Sequence, residues 1–259
     1  MATYLDAILD AHRRAAAADA RPLDELVEAA RAQPPARGFA AAVAAAEGLA
    51  VVAEVKRRSP SRGDLAPGAV AAVLAKAYAD GGATCLSVLT DARFFGGSPD
   101  DLAEARDATD LPVLRKDFTV SERDVCDARL MGADAVLLIV AALGAGELAR
   151  FLRLAGEVGL DAVVEVHDEA ELERAVAAGA RLVGVNQRDL TTFEVDRGRA
   201  LRVAAAVPDG VVAIAESGIR GPRDAARLAA AGYDAVLVGE SLVTSDDPAA
   251  AVRALRACS

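Results

Sequence analysis

The chain has 259 residues, of which 53% are hydrophobic and 26% are charged, and its net charge is −10. This composition is typical of a soluble globular protein, and the acidity argues against general binding to nucleic acid or to anionic membranes. The sequence contains no apolar run of membrane-spanning or signal-peptide length, so we expect a cytoplasmic protein. Cys85, Cys126 and Cys258 are scattered and odd in number, which predicts free thiols rather than disulfides or a zinc site.

Residues 1–46 are predicted to be helical. Thr3 is a suitable N-cap with Asp6 three residues later, and the apolar face of this helix includes His12, which we expect to pack. Pro22 is suited to begin a second helix. These helices precede the regular part of the chain and form an N-terminal extension.

Eight apolar, strand-like runs follow, separated by stretches with helical periodicity. They cover 49–55, 84–90, 111–116, 135–140, 161–166, 181–186, 210–217 and 234–240. Runs that are apolar along their whole length are typical of parallel strands covered on both faces. Glycines that suit helix C-termini recur at intervals of about 50 residues, which is the length of two strand–helix units. They are Gly82, Gly132, Gly179 and Gly232.

The pattern predicts a single α/β domain over residues 1–259, a (β/α)8 TIM barrel with 1–46 as its helical extension. An open doubly wound sheet is the alternative. It would carry a glycine-rich dinucleotide-binding turn after the first strand, and "KRRSPSRG" (56–63) contains none. In this stretch Pro60 stiffens the loop and Ser59 and Ser61 can bond local backbone, whereas Arg57 and Arg58 are either solvated or help to attract an anionic substrate.

Charged and polar side chains stand at the ends of these apolar strands, where a barrel of this type has its active site. Because side chains two apart share a face, Glu54 and Lys56 are expected to point together into the mouth. The other candidates at strand ends are Lys116, Glu165, Asn186, Arg188 and Glu216. Together they indicate an enzyme that uses Lys and Glu for proton transfer.

Two loop tips suit a phosphate group, because Gly and Ser follow the seventh and eighth strands. They are Ser217-Gly218 and Gly239 to Ser241. His167 borders a loop and is predicted to be a loop or cap residue. No His, Asp or Glu group has metal-ligand spacing, so we expect no metal. The residues alone therefore predict an enzyme for a phosphorylated small molecule.

Several segments in order along the chain resemble the indole-3-glycerol phosphate synthase family of tryptophan biosynthesis. They include "EVKRRSPSRG" (54–63), "LTDARFFGGS" (89–98), "LPVLRKDF" (111–118), "VVEVHDEAEL" (163–172), "GVNQRDLTTFEVD" (184–196), "IAESGI" (214–219) and "VLVGESL" (236–242). The resemblance implies ring closure of 1-(2-carboxyphenylamino)-1-deoxyribulose 5-phosphate to indole-3-glycerol phosphate, with loss of CO2 and water. This reaction needs no cofactor, and we expect the chain to be a monomer or a weak homodimer.

The resemblance also implies residue roles. Lys116 matches a general acid and Glu165 a general base, and Lys56 matches a lysine that binds the substrate anion, with a role as an acid left open. Glu54, Asn186 and Glu216 match residues that orient the substrate. The expected binding residues are Ser59, Phe95, Phe118, Leu137, Ile139, Arg188, Leu190, Ser217, Gly218, Gly239 and Ser241. A lysine beside another cation is expected to have a lowered ammonium pKa.

One position departs from the family pattern. Gln187 stands where the family often has Asn or Ala, and alternation directs it to the other face of the strand, so we expect little effect. Two other functions remain as alternatives. An isomerase resembling phosphoribosylanthranilate isomerase would need a Cys/Asp pair at strand ends, which is not seen. A barrel kept only for binding predicts lost catalytic groups, yet Lys56, Lys116 and Glu165 are present.

Overall fold

The structure is a computed structural model that describes residues 3–60 and 62–257. Eight parallel strands close into a barrel in which each strand pairs with its neighbours in chain order and the last pairs with the first. The strands are β1 (Ala50–Val55), β2 (Cys85–Leu89), β3 (Val113–Lys116), β4 (Ala135–Ile139), β5 (Asp161–Val166), β6 (Leu182–Asn186), β7 (Val212–Glu216) and β8 (Ala235–Val238). The (β/α)8 barrel is thus confirmed, and the open sheet is wrong.

Helices connect the strands and cover the outside of the barrel. They are α1 (Tyr4–Ala18), α2 (Leu23–Arg31), α3 (Phe39–Ala44), α4 (Ala71–Asp80), α5 (Ala92–Phe95), α6 (Pro99–Ala108), α7 (Glu122–Leu130), α8 (Ala145–Glu157), α9 (Glu169–Ala177), α10 (Arg199–Ala204), α11 (Pro222–Ala230), α12 (Glu240–Val243) and α13 (Pro248–Arg256). A short 3-10 helix covers Val140–Ala142. Within the described ranges, no helix combines the length and apolar character needed to cross a bilayer.

The strands are apolar along their length because both of their faces are buried. Inward side chains fill the barrel, and outward ones pack under the helices; β1, β2, β4 and β6 are buried at every position. Cys85 and Cys126 are free, buried thiols in this core, as predicted, whereas Cys258 lies outside the described residues. The polar residues at the strand ends are therefore exceptions in an otherwise apolar barrel.

The repeated glycines end helices in the left-handed conformation. The φ angles of Gly82, Gly132, Gly179 and Gly232 are 86°, 88°, 100° and 96°. A residue with a Cβ is disfavoured at such angles, so glycine ends each helix at little cost and lets the chain turn directly into the next strand. The predicted role of this repeat is confirmed.

Helix α1 lies beside the C-terminal mouth of the barrel. Thr3 and Asp6 form the predicted capping box, and Leu5 and Ile8 are buried. The ring of Tyr4 meets those of Phe94 and Phe193 edge to face, with centroids 5.8 and 5.0 Å away. These contacts join the N-terminal extension to the loops that follow β2 and β6.

The opposite end of the barrel is held by a buried carboxylate, Asp134, just before β4. It accepts hydrogen bonds from the backbone N–H groups of Arg37 and Val113, at 2.8 and 2.9 Å, and pairs with the guanidinium of Arg106 at 2.5 Å. One side chain thus connects the N-terminal extension, β3 and α6. Burial without these partners would be costly.

We expect Asp134→Ala to lower the free energy of unfolding by about 2–4 kcal/mol, because it leaves two N–H groups and a guanidinium without their acceptor. Urea titration measures this. Asp64→Ala is the control, since Asp64 forms a pair with Arg58 that is largely exposed and should contribute little to stability. The folded Asp134 variant should keep its turnover, because Asp134 is far from the mouth; equal stability of the two variants would contradict the assignment.

Candidate active site

A cavity of about 1000 Å³ opens at the C-terminal ends of the strands. It is lined by all six predicted catalytic residues: Glu54, Lys56, Lys116, Glu165, Asn186 and Glu216. Of the predicted binding residues, Ser59, Phe95, Phe118, Leu137, Ile139, Arg188, Leu190, Ser217, Gly218 and Gly239 line it as well. Ser241 does not line it, and its hydroxyl donates to the carbonyl of Ile219 at 3.1 Å.

Lys116, at the end of β3, lies between two buried carboxylates. Its Nζ atom is 3.1 Å from Oε2 of Glu165 and 3.4 Å from Oε2 of Glu216. Both carboxylates are about 1% exposed. Three charged groups that would be costly to bury singly thus compensate one another, and they place a proton donor beside two proton acceptors.

The electrostatics of this group separate its two carboxylates. Burial raises the pKa of Glu216 to about 7. The positive charge of Lys116 opposes this increase, and the negative charge of Glu165 adds to it. Burial also favours the protonated form of Glu165, but the charge of Lys116 outweighs it and lowers the pKa of Glu165. At neutral pH Glu165 is therefore anionic and suited to accept a proton, whereas Glu216 is close to its midpoint.

The expectation of a lowered lysine pKa is wrong for Lys116. Burial disfavours its charge, but the carboxylates of Glu165, Glu216 and Glu54 outweigh this effect and raise the pKa of Lys116 above its ordinary value. The other lysine, Lys56, is paired with Glu54 at 2.6 Å. Lys116 is thus charged throughout the physiological pH range.

The pair of Glu54 and Lys56 is held by close packing at the end of β1. Ser87 on β2 donates a hydrogen bond to Glu54 at 3.4 Å. A Cβ atom at Gly239 would lie 2.4 Å from Oε1 of Glu54 and 3.1 Å from Nζ of Lys56. Gly239 is therefore required for the carboxylate to reach its position, and the two predicted inward-facing charges of β1 do share the mouth.

Asn186 orients the Glu165 carboxylate. Its amide Nδ2 donates to Oε1 of Glu165 at 3.0 Å, while its Oδ1 accepts from the backbone N–H of Arg188 at the same distance. The second contact fixes which end of the amide faces the carboxylate. The guanidinium of Arg188 donates to the carbonyl of Phe193 at 2.9 Å, and burial lowers its pKa.

His167 occupies the predicted position at a helix start. Its backbone N–H and its Nδ1 contact the same carboxylate oxygen of Glu171, at 2.8 and 3.0 Å. Its Nε2 lies 3.7 Å from Glu165. Burial disfavours its charge, but Glu171 and Glu165 raise the pKa of His167. A protonated His167 favours the anionic form of Glu165 from outside the cavity.

The loop tips after β7 and β8 form the predicted concave edge of the cavity. Ser217 and Gly218 are both left-handed, with φ angles of 66° and 72°. A Cβ atom at Gly218 would lie 2.5 Å from Val195, so this turn admits only glycine there. Helix α12 begins at Glu240, and the N–H groups of Glu240 and Ser241 have no acceptor within that helix. N–H groups arranged in this way suit an anion.

The apolar wall lies on the opposite side of the mouth. The rings of Phe95 and Phe118 are 6.2 Å apart, and Leu137 and Ile139 of β4 line the same cavity. Phe193, which no sequence motif indicated as a site residue, also lines the cavity and has a φ angle of 61°. A non-glycine residue at such an angle is uncommon. Nothing in the sequence indicates that Phe193 adopts this conformation.

The loop after β1 is held by ion pairs of its own. Arg57 pairs with Asp101 at 2.5 Å and Arg58 with Asp64 at 2.7 Å. Arg57 and Arg58 are therefore neutralised at the rim, and neither lines the cavity. Ser59 does line it, and its buried hydroxyl has no hydrogen-bond partner within the described residues. Ser61, for which a local hydrogen bond was expected, lies outside the described residues.

His12 does more than the packing that the sequence predicted. Its ring lies 5.6 Å from that of Phe118, and its Nε2 is 3.0 Å from Oδ2 of Asp91 and 3.9 Å from Oδ1 of Asp117. This group has a composition that can hold a metal ion. His12 and Asp91 are 79 positions apart in the chain, so sequence spacing could not reveal this group. The carboxylates already accept other hydrogen bonds, Asp91 from the N–H of Phe94 and Asp117 from that of Phe118.

We expect the contribution of His12 to stability to depend on pH. Burial disfavours its charge, but Asp91, Asp117 and Asp124 outweigh this effect and raise the pKa of His12 above its ordinary value of 6.5. The stabilisation is therefore complete below pH 6.5 and is lost as the pH rises through the folded-state pKa. In urea titrations at pH 6 and pH 9, the stability difference between wild type and His12→Gln should shrink at pH 9; an equal difference at both values would contradict it.

Comparison with known proteins identifies the family. The family model for indole-3-glycerol phosphate synthase matches residues 5–255. Indole-3-glycerol phosphate synthase 2 of Streptomyces coelicolor is 53% identical over 231 residues, which cover 89% of each chain. The indole-3-glycerol phosphate synthase of Mycobacteroides abscessus is 52% identical over 252 residues, 96% of this chain and 92% of its own.

A solved structure of thiamine phosphate pyrophosphorylase from Pyrococcus furiosus is similar in fold alone. Its TM-score is 0.61 at 18% identity, and the match covers 81% of this chain and 95% of that one. The family model, by contrast, extends over both the barrel and the N-terminal helices. The chain therefore belongs to the indole-3-glycerol phosphate synthase family, whose members are carboxy-lyases of tryptophan biosynthesis.

Proposed function

We propose that this chain closes the indole ring of its substrate with Lys116 as general acid and Glu165 as general base. The observation that carries this proposal is the position of Lys116, 3.1 Å from one buried carboxylate and 3.4 Å from another at the base of the cavity. A charged donor beside an anionic acceptor is the pair that a condensation followed by a dehydration needs. The substrate is 1-(2-carboxyphenylamino)-1-deoxyribulose 5-phosphate.

The two sides of the cavity suit the two ends of this molecule. Its phosphate would lie against the N–H groups at Gly218, Gly239 and Ser241, with Ser217 beside them. Its aromatic ring would lie against the apolar wall, which consists of Phe95, Phe118, Leu137, Ile139 and Leu190. Lys56 and Arg188 supply positive charge between these ends, and we assign Lys56 to the substrate carboxylate. Ser59, at the rim, is available to a polar group of the substrate.

Ring closure comes first. The aromatic carbon that carries the carboxylate attacks the ketone carbon, and Lys116 gives a proton to the ketone oxygen, which becomes a hydroxyl. Loss of CO2 then leaves its electron pair in the ring and restores aromaticity, so no electron-accepting cofactor is needed. A buried, water-poor site strengthens the contact between Lys116 and the oxygen on which negative charge develops.

Dehydration follows. The new hydroxyl leaves as water after protonation, for which Lys56 is the nearby donor, and Glu165 accepts the proton that the five-membered ring must lose. Glu54 and Glu216 hold the two lysines, and Asn186 holds Glu165. Because decarboxylation consumes one proton overall, one of the lysines is recharged from solvent in each turnover.

The direct test is indole formation by the purified chain. Enzyme treated with EDTA, without nucleotide or added metal, should convert the carboxyphenylamino-deoxyribulose phosphate to a product with indole fluorescence and release one CO2 per product. Failure to form this product would refute the proposed reaction, and dependence on an added metal would refute the metal-free mechanism.

Three further expectations remain proposals about the whole chain. We propose one domain over residues 1–259 with 1–46 as its extension, a monomer or weak homodimer, and a cytoplasmic enzyme that binds neither nucleic acid nor membranes. The net charge of −10 supports the last point. Light scattering across a concentration series tests the oligomeric state, and a stable higher oligomer would contradict it.

A further inference from the structure

Gln187 follows β6 and faces away from the cavity, as alternation predicts, yet it contacts the turn that forms the proposed phosphate site. Its side chain is 3% exposed, and its Nε2 donates a hydrogen bond of 2.7 Å to the backbone carbonyl of Ser217. A carbonyl oxygen only accepts, so the amide nitrogen must be the end that faces it. Its backbone N–H also donates to the carbonyl of Glu216 at 3.0 Å.

The turn that Gln187 holds is conformationally unfavourable. Ser217 has a φ angle of 66°, and a residue with a Cβ is disfavoured in this left-handed region. Glycine follows at position 218 with a φ angle of 72°. Such a backbone conformation persists only where neighbouring contacts determine it, and the hydrogen bond from Gln187 is such a contact.

Peptide geometry connects this hydrogen bond to the cavity. In a trans peptide the C=O and N–H groups lie in one plane and point in opposite directions. Gln187 holds the carbonyl of Ser217 on the side away from the cavity, so the N–H of Gly218, in the same peptide, points toward the cavity that Gly218 lines. Val195 packs on the same turn and leaves no room for a Cβ at Gly218.

We propose that Gln187 is a positioning residue that acts through the Ser217–Gly218 peptide and directs the Gly218 N–H at the phosphate group of the substrate. This inference rests on the proposed phosphate site. It replaces the expectation that Gln187 has little effect.

The test separates binding from chemistry. Gln187→Met keeps the length of the side chain and removes the donor, so KM should rise about five- to tenfold, the equivalent of one hydrogen bond, while kcat stays within about twofold. Gln33→Met is the matched control, since Gln33 lies just beyond α2, is only partly buried, and donates from its Nε2 to the carbonyl of Ala29 at a long 3.4 Å. A change in kcat with an unchanged KM would overturn the proposal.

A second variant shows whether the backbone is the link. Glycine adopts positive φ without penalty, so in a Ser217→Gly background Gln187→Met should raise KM by less than about twofold. If Gln187 had a merely structural role, Gln187→Met would raise KM equally in both backgrounds. That result would overturn the proposal. If Gln187→Met does not fold, Gln187→Asn keeps the amide but withdraws it by one methylene, and the same pattern is expected.

Inorganic phosphate serves as a probe that needs no turnover of the variant. It should compete with substrate in the wild type, and its inhibition constant should rise in Gln187→Met as KM does. Absence of competition in the wild type would refute the phosphate site itself and with it the clamp. Equal competition in wild type and variant would refute the clamp alone and leave the proposed reaction intact.

Discussion

Lys116→Met should lower kcat/KM by about 1,000- to 10,000-fold, because it removes the proposed proton donor of ring closure together with the only charge that contacts both Glu165 and Glu216 among the described residues. Methionine has nearly the same length and fits the apolar part of the site. Ring closure precedes the loss of CO2 in the proposed sequence of steps. The variant should therefore release neither CO2 nor indole product.

Stability is the necessary control for this variant. Without Lys116, two buried carboxylates face each other, and one of them is expected to bind a proton rather than unfold the barrel. Circular dichroism and a urea titration at pH 7 check that the fold persists. Lys76→Met is the matched control, since Lys76 lies exposed on α4 and should retain wild-type kinetics. A folded Lys116→Met enzyme with near wild-type turnover would exclude Lys116 as the acid.

The position of the proposed catalytic residues could be predicted because it follows from local rules. Parallel strands present their C-terminal ends at one mouth, and alternation decides which side chains enter it. Glu54 and Lys56 needed only these two rules. The same rules placed Gln187 on the outer face, but they could not show that its side chain ends on the carbonyl of Ser217, 30 positions later in the chain.

The features that were missed depend on distances between elements far apart in sequence. His12 meets Asp91 only because α1 crosses to the mouth, and no spacing along the chain expresses that contact. The predicted lowering of the Lys116 pKa was wrong for a similar reason. The sequence shows two lysines at strand ends, but only the structure shows that Lys116 contacts two carboxylates and that Glu54 pairs with Lys56.

The two carboxylates beside Lys116 are chemically alike and acquire different roles from their surroundings. Glu165 has an amide donor, Asn186, at 3.0 Å and a histidine, His167, at 3.7 Å. Glu216 has a buried Oε1 without a hydrogen-bond partner within the described residues. Donors and positive charge favour the anion, and their absence disfavours it. This asymmetry is the physical reason for assigning the base to Glu165 rather than to Glu216.

Two control variants accompany the substitution Glu165→Gln, which removes the proposed base. They test whether the loss of activity depends on which carboxylate is removed. Glu173→Gln changes an exposed glutamate on α9 and should leave kinetics unchanged. Glu216→Gln removes the other carboxylate beside Lys116 while Glu165 remains, so we expect a smaller loss, about 10- to 100-fold. If Glu216→Gln were more damaging than Glu165→Gln, the two assignments would have to be exchanged.

Glu165→Gln should lower kcat by about 100- to 10,000-fold and, unlike Lys116→Met, should block the reaction after CO2 has left. The shape of the side chain is kept, and its amide oxygen can still accept from Lys116, so ring closure and decarboxylation proceed. The amide cannot take up the proton of the final dehydration. In a single turnover with enzyme in excess, CO2 release should therefore approach one per substrate while indole fluorescence stays near the background. Indole appearing in step with CO2 would exclude Glu165 as the base of dehydration, and loss of both products would assign it to ring closure instead.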